Sequence, residues 1–238
     1  MRFDAKKATK ENVGKYLELF TPNIKDDAEL EKWCALAKQY NLRSYLAFVQ
    51  WLPQIARNLK GTDIKAGTGI TFPLGVETPA TKAKAVEEAL RLGANTIDFS
   101  MNYRALNSGR SDIVKEELGL FADLARNVET KVIIEVCFLS DDGIREACGL
   151  VADAGINWVK SATGQFQGPS MEQIAIILDS LNGTDTRCKV SGVKFPRAQN
   201  AYAFLMAGVE IIGSQGVVEI IDGLEKLRAL GVLPEYES

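Results

Sequence analysis

Histidine is absent from this chain of 238 residues. That excludes histidine-based triads, histidine general bases and most catalytic zinc sites. Chemistry here falls to Lys, Asp, Glu, Tyr, Cys or water. An excess of positive charge is also lacking. The 28 Lys and Arg residues against 31 Asp and Glu leave a net charge of −3, so neither nucleic acid nor a membrane surface is expected as a partner. No apolar run approaches the roughly 18 residues of a spanning helix, and the start, Met1-Arg2-Phe3-Asp4, has no apolar signal core. Cys34, Cys137, Cys148 and Cys188 form no CxxC pair. Reduced thiols and a cytoplasmic location are therefore expected. No linker or low-complexity segment interrupts the chain, so residues 1–238 are expected to form a single domain, with 46% hydrophobic residues to build its core.

What is present is alternation. Strand-like runs occur at Tyr16–Phe20, Ser44–Val49, Ile64–Ile70, Thr96–Ser100, Lys131–Cys137, Trp158–Lys160, Cys188–Val193 and Glu210–Ser214. Their length and β-branched content favour strand over helix, and Cys137 and Cys188 within them read as small buried hydrophobes. Between the runs lie segments with helical spacing, among them Thr81–Leu92, Asp142–Ala154 and Met171–Leu181. Gly93, Gly155, Gly208 and Gly231 follow helical stretches as left-handed caps do. Strict β/α alternation implies a parallel sheet. Eight strands in this length predict a (β/α)8 TIM barrel, with a doubly wound open sheet as the alternative.

In such a barrel, chemistry sits at the C-terminal ends of the strands. Lys160 ends the sixth predicted strand, after Trp158-Val159. Burying an ammonium there without a partner is costly, although a strand-end lysine can also extend to solvent. Lys189 opens the seventh strand, next to the sixth. Two inward lysines on neighbouring strands repel, so one should lose its proton more easily, and a neutral amine attacks carbonyls. Asp98, inside Thr96-Ile97-Asp98-Phe99-Ser100, needs a partner if it points inward. A lysine would serve, giving a proton shuttle. Gly164, Gly192, Gly213 and Ser214 follow or end strands six to eight, where turn amides ahead of helices make an anion site. Thr163 and Ser191 flank these turns and belong to the same candidate substrate and phosphate set.

Several segments carry a family resemblance: Leu59-Lys60-Gly61-Thr62-Asp63-Ile64-Lys65, Phe72-Pro73-Leu74-Gly75, Gly93-Ala94-Asn95-Thr96-Ile97-Asp98, Tyr103-Arg104-Ala105-Leu106 and Lys131-Val132-Ile133-Ile134-Glu135. Val159-Lys160-Ser161-Ala162-Thr163-Gly164, Lys189-Val190-Ser191-Gly192 and Ile212-Gly213-Ser214-Gln215-Gly216 continue it. In their order and spacing, from about Leu17 to Gly223, the chain resembles the deoxyribose-phosphate aldolases, class I aldolases with a (β/α)8 fold. The resemblance implies Lys160 as Schiff-base nucleophile, Lys189 as the lysine that depresses its pKa, and Asp98 as the acid/base working with a water. The implied reaction joins acetaldehyde and glyceraldehyde 3-phosphate, reversibly, into 2-deoxyribose 5-phosphate. No metal or other cofactor is implied, because the protonated imine is the electron sink. Small aldehydes and sugar phosphates are the implied partners, and a homo-oligomer is the default assembly.

The chain departs from the family pattern in places. A second glycine is expected after Lys189-Val190-Ser191-Gly192, but Val193-Lys194-Phe195-Pro196-Arg197 follows. Lys194 is the candidate to replace the lost amides with a point charge. Leu17-Glu18-Leu19-Phe20-Thr21 stands where an Asp-His-Thr-like pattern is usual, with Glu18 as the candidate acid. Gln165 follows Gly164, Trp51 is bulky near the expected mouth, and Tyr236 lies in a tail that either folds over the site or frays. A different donor or acceptor, and a sugar-phosphate-binding barrel without catalysis, stay open.

Overall fold

The computed structural model describes residues 2–237. Eight parallel strands close on themselves in sequence order: β1 (Leu17–Phe20), β2 (Ser44–Ala47), β3 (Lys65–Ile70), β4 (Thr96–Ser100), β5 (Glu129–Ile133), β6 (Trp158–Lys160), β7 (Arg187–Ser191) and β8 (Ile211–Ser214). Helices α1 (Asp27–Gln39), α2 (Leu52–Asn58), α3 (Pro79–Arg91), α4 (Tyr103–Asn107), α5 (Ser111–Leu124), α6 (Asp141–Asp153), α7 (Met171–Ser180), α8 (Arg197–Ala207) and α9 (Val217–Ala229) surround them. The expected (β/α)8 TIM barrel is what forms.

Local chemistry sets the helix starts. The side chains of Asp26, Thr78, Ser140 and Ser170 each accept a backbone N–H of the first turn, and Ser170 with Gln173 completes a capping box. Each such cap contributes about 1 kcal/mol. Between helices and strands the packing is apolar. Ile97 and Phe99 of β4 face outward, and Phe99 stacks on Phe121 of α5 with ring centroids 4.6 Å apart.

Some boundaries differ from the sequence expectation. β5 ends at Ile133 rather than Cys137, because Glu135 takes a left-handed backbone (φ 52°) and Val136–Phe138 form a 3-10 turn. Cys137 therefore lies half-buried in that turn and not on a strand. β7 starts two residues before Lys189, which puts that lysine mid-strand, and ends at Ser191, where Gly192 turns the chain at φ 76°. The short helices α2 and α4 were not apparent from periodicity, since five to seven residues give too little of it. The tail is neither over the site nor frayed at Glu237, whose N–H donates to Lys6 O. α9 runs back down the barrel wall, so the tail meets the N-terminal mouth, with Arg228 5.6 Å from the Tyr236 ring centroid.

Among the described residues no helix is long and apolar enough to cross a membrane.

Candidate active site

Strand alternation decides which side chains enter the barrel. Glu18 on β1, Asp98 on β4, Lys131 on β5, Lys160 on β6 and Lys189 on β7 contact one another from strands that are mostly not neighbours. Only the interior allows that. The register agrees: Lys160 pairs with Lys189 across β6 and β7, and Asp98 with Lys131 across β4 and β5. All five are at most 4% exposed. A Cβ at Gly213 would lie 3.2 Å from Lys189 Cε and collide with the Ser191 hydroxyl, so the missing side chain on β8 gives Lys189 its room.

Asp98 is the hub. Its Oδ2 accepts from Lys160 Nζ at 2.7 Å and from Lys189 Nζ at 2.8 Å; Oδ1 accepts from Lys189 at 3.1 Å. Lys189 also bonds Glu18, which pairs with Lys131 at 3.3 Å. Burial alone would push the Asp98 carboxyl up, but the charges of Lys160, Lys189 and Lys131 outweigh it and hold the group well below the usual carboxylate range. Glu18 is lowered on the same balance, its burial outweighed by Lys131 and Lys189. The two lysines move in opposite directions. Burial opposes a proton on both, but Asp98 and Glu18 together raise Lys189 above the ordinary lysine value. Lys160 has Asp98 against burial and the Lys189 charge, and ends below that value. Burial, ahead of the second lysine, is the larger cause.

Lys160 Nζ faces a cavity of about 230 Å³ at the C-terminal ends of the strands. Thr163 and Gly164 after β6, Ser191 and Gly192 around the end of β7, and Gly213 and Ser214 of β8 line it. Lys189 and Asp98 lie beneath it, reached through Lys160. Lys194 is not brought in. Its side chain is exposed and borders a separate depression with Met171 and Phe204. Arg197, at the start of α8, lines the cavity instead and is paired with Glu219. Phe20 forms part of the same wall, packed against Phe72 at 5.1 Å and Phe48 at 6.0 Å. Gln165 lines the cavity, and Trp51 instead precedes α2 and packs against the core. Both Glu135 carboxylate oxygens accept the Thr163 N–H, at 3.0 and 3.3 Å, tying the turn after β5 to the loop that follows Lys160.

Lys131, Arg197, Phe20 and Glu135 were not singled out in the sequence. Lys131 had a usable signal, a lysine at the inward register of an apolar strand. Arg197 had none, because only the path of the Val193–Pro196 loop brings it round. Among the described residues no cluster of three or more His, Cys, Asp or Glu side chains is arranged to hold a metal ion.

This arrangement offers one amine shifted toward its neutral form, beside a second shifted toward its charged form and a carboxylate bridging both. Such a set suits nucleophilic attack on a carbonyl with proton transfer at hand. Comparison with known proteins points the same way. Residues 22–195 match the model of the DeoC/LacD family aldolases. A deoxyribose-phosphate aldolase of Geobacillus sp. (strain WCH70) is 36% identical over 197 residues, 82% of this chain and 88% of that one. Another, from Clostridium novyi (strain NT), is 31% identical over 222 residues, covering 92% and 99%. The tetrameric deoxyribose phosphate aldolase of Aeropyrum pernix shares the fold, with a TM-score of 0.82 at 20% identity over 93% of this chain and 94% of that one. Sequence identity at this level over most of both chains reaches beyond shared architecture, and this chain belongs to the DeoC/LacD family of aldolases, lyases that act on carbon–carbon bonds.

Proposed function

We propose that this aldolase works through an imine on Lys160 and reversibly joins acetaldehyde to glyceraldehyde 3-phosphate, giving 2-deoxyribose 5-phosphate. The observation that carries the reading is the single oxygen, Asp98 Oδ2, that accepts from both Lys160 and Lys189 at the floor of an open cavity. Neutral Lys160 adds to the acetaldehyde carbonyl, and the carbinolamine loses water to leave an iminium. Lys189, held protonated, donates to the departing hydroxyl. Asp98 then accepts the α-proton through a water, and the electron pair moves into the enamine. The enamine carbon attacks the acceptor aldehyde, a proton returns to the new alkoxide, and water hydrolyses the imine to free product and amine. Positioned acids and bases contribute about 10²–10⁴-fold at such steps. Gly164, Gly192, Gly213 and Ser214 offer backbone amides to the acceptor's phosphate, with Arg197 as the cation on that wall.

Borohydride with acetaldehyde is expected to leave a two-carbon adduct on Lys160, found by peptide mass spectrometry, and Lys160→Ala should lack it. A stoichiometric adduct in that variant would overturn the assignment.

A second reading keeps the imine and changes the acceptor. It is favoured by Lys194 facing away from the cavity and by the pairing of Arg197 with Glu219, which together leave less free positive charge for a phosphate. Turnover across phosphorylated and plain acceptor aldehydes separates the two. We further propose that the chain acts as one aldolase-type barrel domain and works in the cytoplasm, where its four unpaired thiols would stay reduced.

A further inference from the structure

The charges inside the barrel do not stop beneath Lys160. Below Glu18 and Lys131, toward the N-terminal mouth, Glu129 accepts from Lys131 at 2.7 Å, from Lys65 at 2.7 Å and from Arg43. Arg43 Nε is also 3.6 Å from Glu18 Oε1. An unbroken series of ion pairs therefore links Lys65 and Arg43, whose side chains are 35% and 26% exposed at that mouth, to the amine in the cavity. We propose that Glu129, Arg43 and Lys65 are positioning residues that set the charge of the Lys160 amine from the opposite mouth of the barrel, through Lys131, Glu18 and Asp98.

The charge balance supports this. The ion-paired series holds three carboxylates, Glu18, Asp98 and Glu129, against three lysines, Lys131, Lys160 and Lys189, while the buried Glu135 carboxylate stands outside it and accepts the Thr163 N–H. With all six ionised these charges balance, so only burial and the neighbouring Lys189 charge favour releasing a proton from Lys160. Arg43 and Lys65 add positive charge beyond that balance, so a neutral Lys160 leaves no net negative charge stranded in low dielectric. The charges that act on Lys160 are Asp98 from β4, Lys189 from β7, Glu18 from β1 and Glu135 from the turn after β5; Lys131 of β5 pairs with Glu18, and Arg197 of α8 lines the same cavity. At the far mouth, Lys15, Asp63, Arg187 and Glu210 complete the charged surroundings of Arg43 and Lys65.

The size of the effect follows from register. Glu129 lies four residues before Ile133, the β5 partner of Lys160, which is about 13 Å along the strand. A unit charge at that distance, at an effective dielectric of about 20 to 40, moves a titration by about half to one pH unit.

The inference rests on the proposed role of Lys160, and its test is chosen to fail separately. The rate of acetic anhydride labelling at Lys160, followed by peptide mass spectrometry across pH, reports the charge of the amine without turnover. Removing a cation with Lys65→Met should move the labelling midpoint about half a unit to higher pH, discounted for its partial exposure. Removing an anion with Glu129→Gln should move it about half to one unit lower, and the double variant should return close to wild type. Structural damage alone would give no such opposed signs. Shifts in the same direction, or no shift in Lys65→Met, overturn the proposal. Should Glu129→Gln fail to fold, Lys65→Met, at the solvent-exposed rim, still decides. Opposed shifts without a borohydride adduct on Lys160 would leave this coupling standing and remove the imine reading instead.

Discussion

Replacing Asp98 by Asn separates the two things this carboxylate does. The amide keeps the shape but removes the charge that accepts from Lys160 at 2.7 Å and Lys189 at 2.8 Å. A charge-assisted hydrogen bond contributes about 1.5–3 kcal/mol net. At 1.36 kcal/mol per pH unit, its loss should lower the Lys160 titration by about one to two units. The sign matters: Lys160 already sits below the ordinary lysine value, and removing its carboxylate partner makes the amine still easier to deprotonate. Imine formation should therefore survive, and borohydride trapping at neutral pH should be at least as fast as in wild type. Proton removal from the imine should not survive, because the acceptor is gone. Exchange of the aldehyde's α-hydrogens in deuterium oxide, followed by NMR, should fall about 10²–10⁴-fold. Exchange within tenfold of wild type would refute the role of Asp98. Loss of trapping together with exchange, in a variant whose thermal unfolding is cooperative, would instead mean that Asp98 chiefly holds Lys160 in place.

Two further outcomes are expected. Arg197 lines the cavity and Lys194 does not, so Arg197→Met should raise KM for a phosphorylated acceptor about tenfold with little change for a plain aldehyde, while Lys194→Ala leaves both within about twofold; steady-state kinetics with paired acceptors checks this. Behind β4, Lys82 and Glu117 form a fully buried ion pair at 2.6 Å, with Lys82 also donating to Ser100 O and Glu117 accepting the Asn102 N–H. Lys82→Met strands a carboxylate and should cost about 3–5 kcal/mol in urea unfolding, while Lys82→Met with Glu117→Leu should recover much of that, since breaking a buried pair costs more than replacing it.

The architecture was legible because α/β alternation needs only period and punctuation, and both are strong here. Its errors fall where a local backbone choice overrides pattern. Val136 and Cys137 continue an apolar run, yet a left-handed Glu135 ends β5 before them. The upper half of the site was legible for a different reason. A lysine or aspartate amid apolar strand residues has few neutral explanations, so Lys160 and Asp98 stand out, whereas Lys189, after the polar Asp185-Thr186-Arg187, reads alone as a solvated strand start and gains weight only beside Lys160. Glu129 does not, since it reads as a solvated strand start after Arg126-Asn127-Val128. Only barrel closure turns that start inward against Lys65 of β3 and Arg43 ahead of β2.

Closure also explains why two lysines of like burial and matched register are shifted in opposite directions. The sequence suggested mutual repulsion, but repulsion is symmetric and cannot choose between them. The choice lies in the number of carboxylates each reaches. β7 sits one strand from β8 and two from β1, near enough for Lys189 to bond Glu18 as well as Asp98. Among the described residues Lys160 Nζ bonds Asp98 alone, and its other side opens on the cavity. With burial opposing charge on both, two acceptors raise Lys189 above the ordinary lysine value, while one leaves Lys160 below it. The difference fits the proposed roles of Lys160 as nucleophile and Lys189 as proton donor, and exchanging those roles would require giving Lys160 the second carboxylate and not merely altering either lysine.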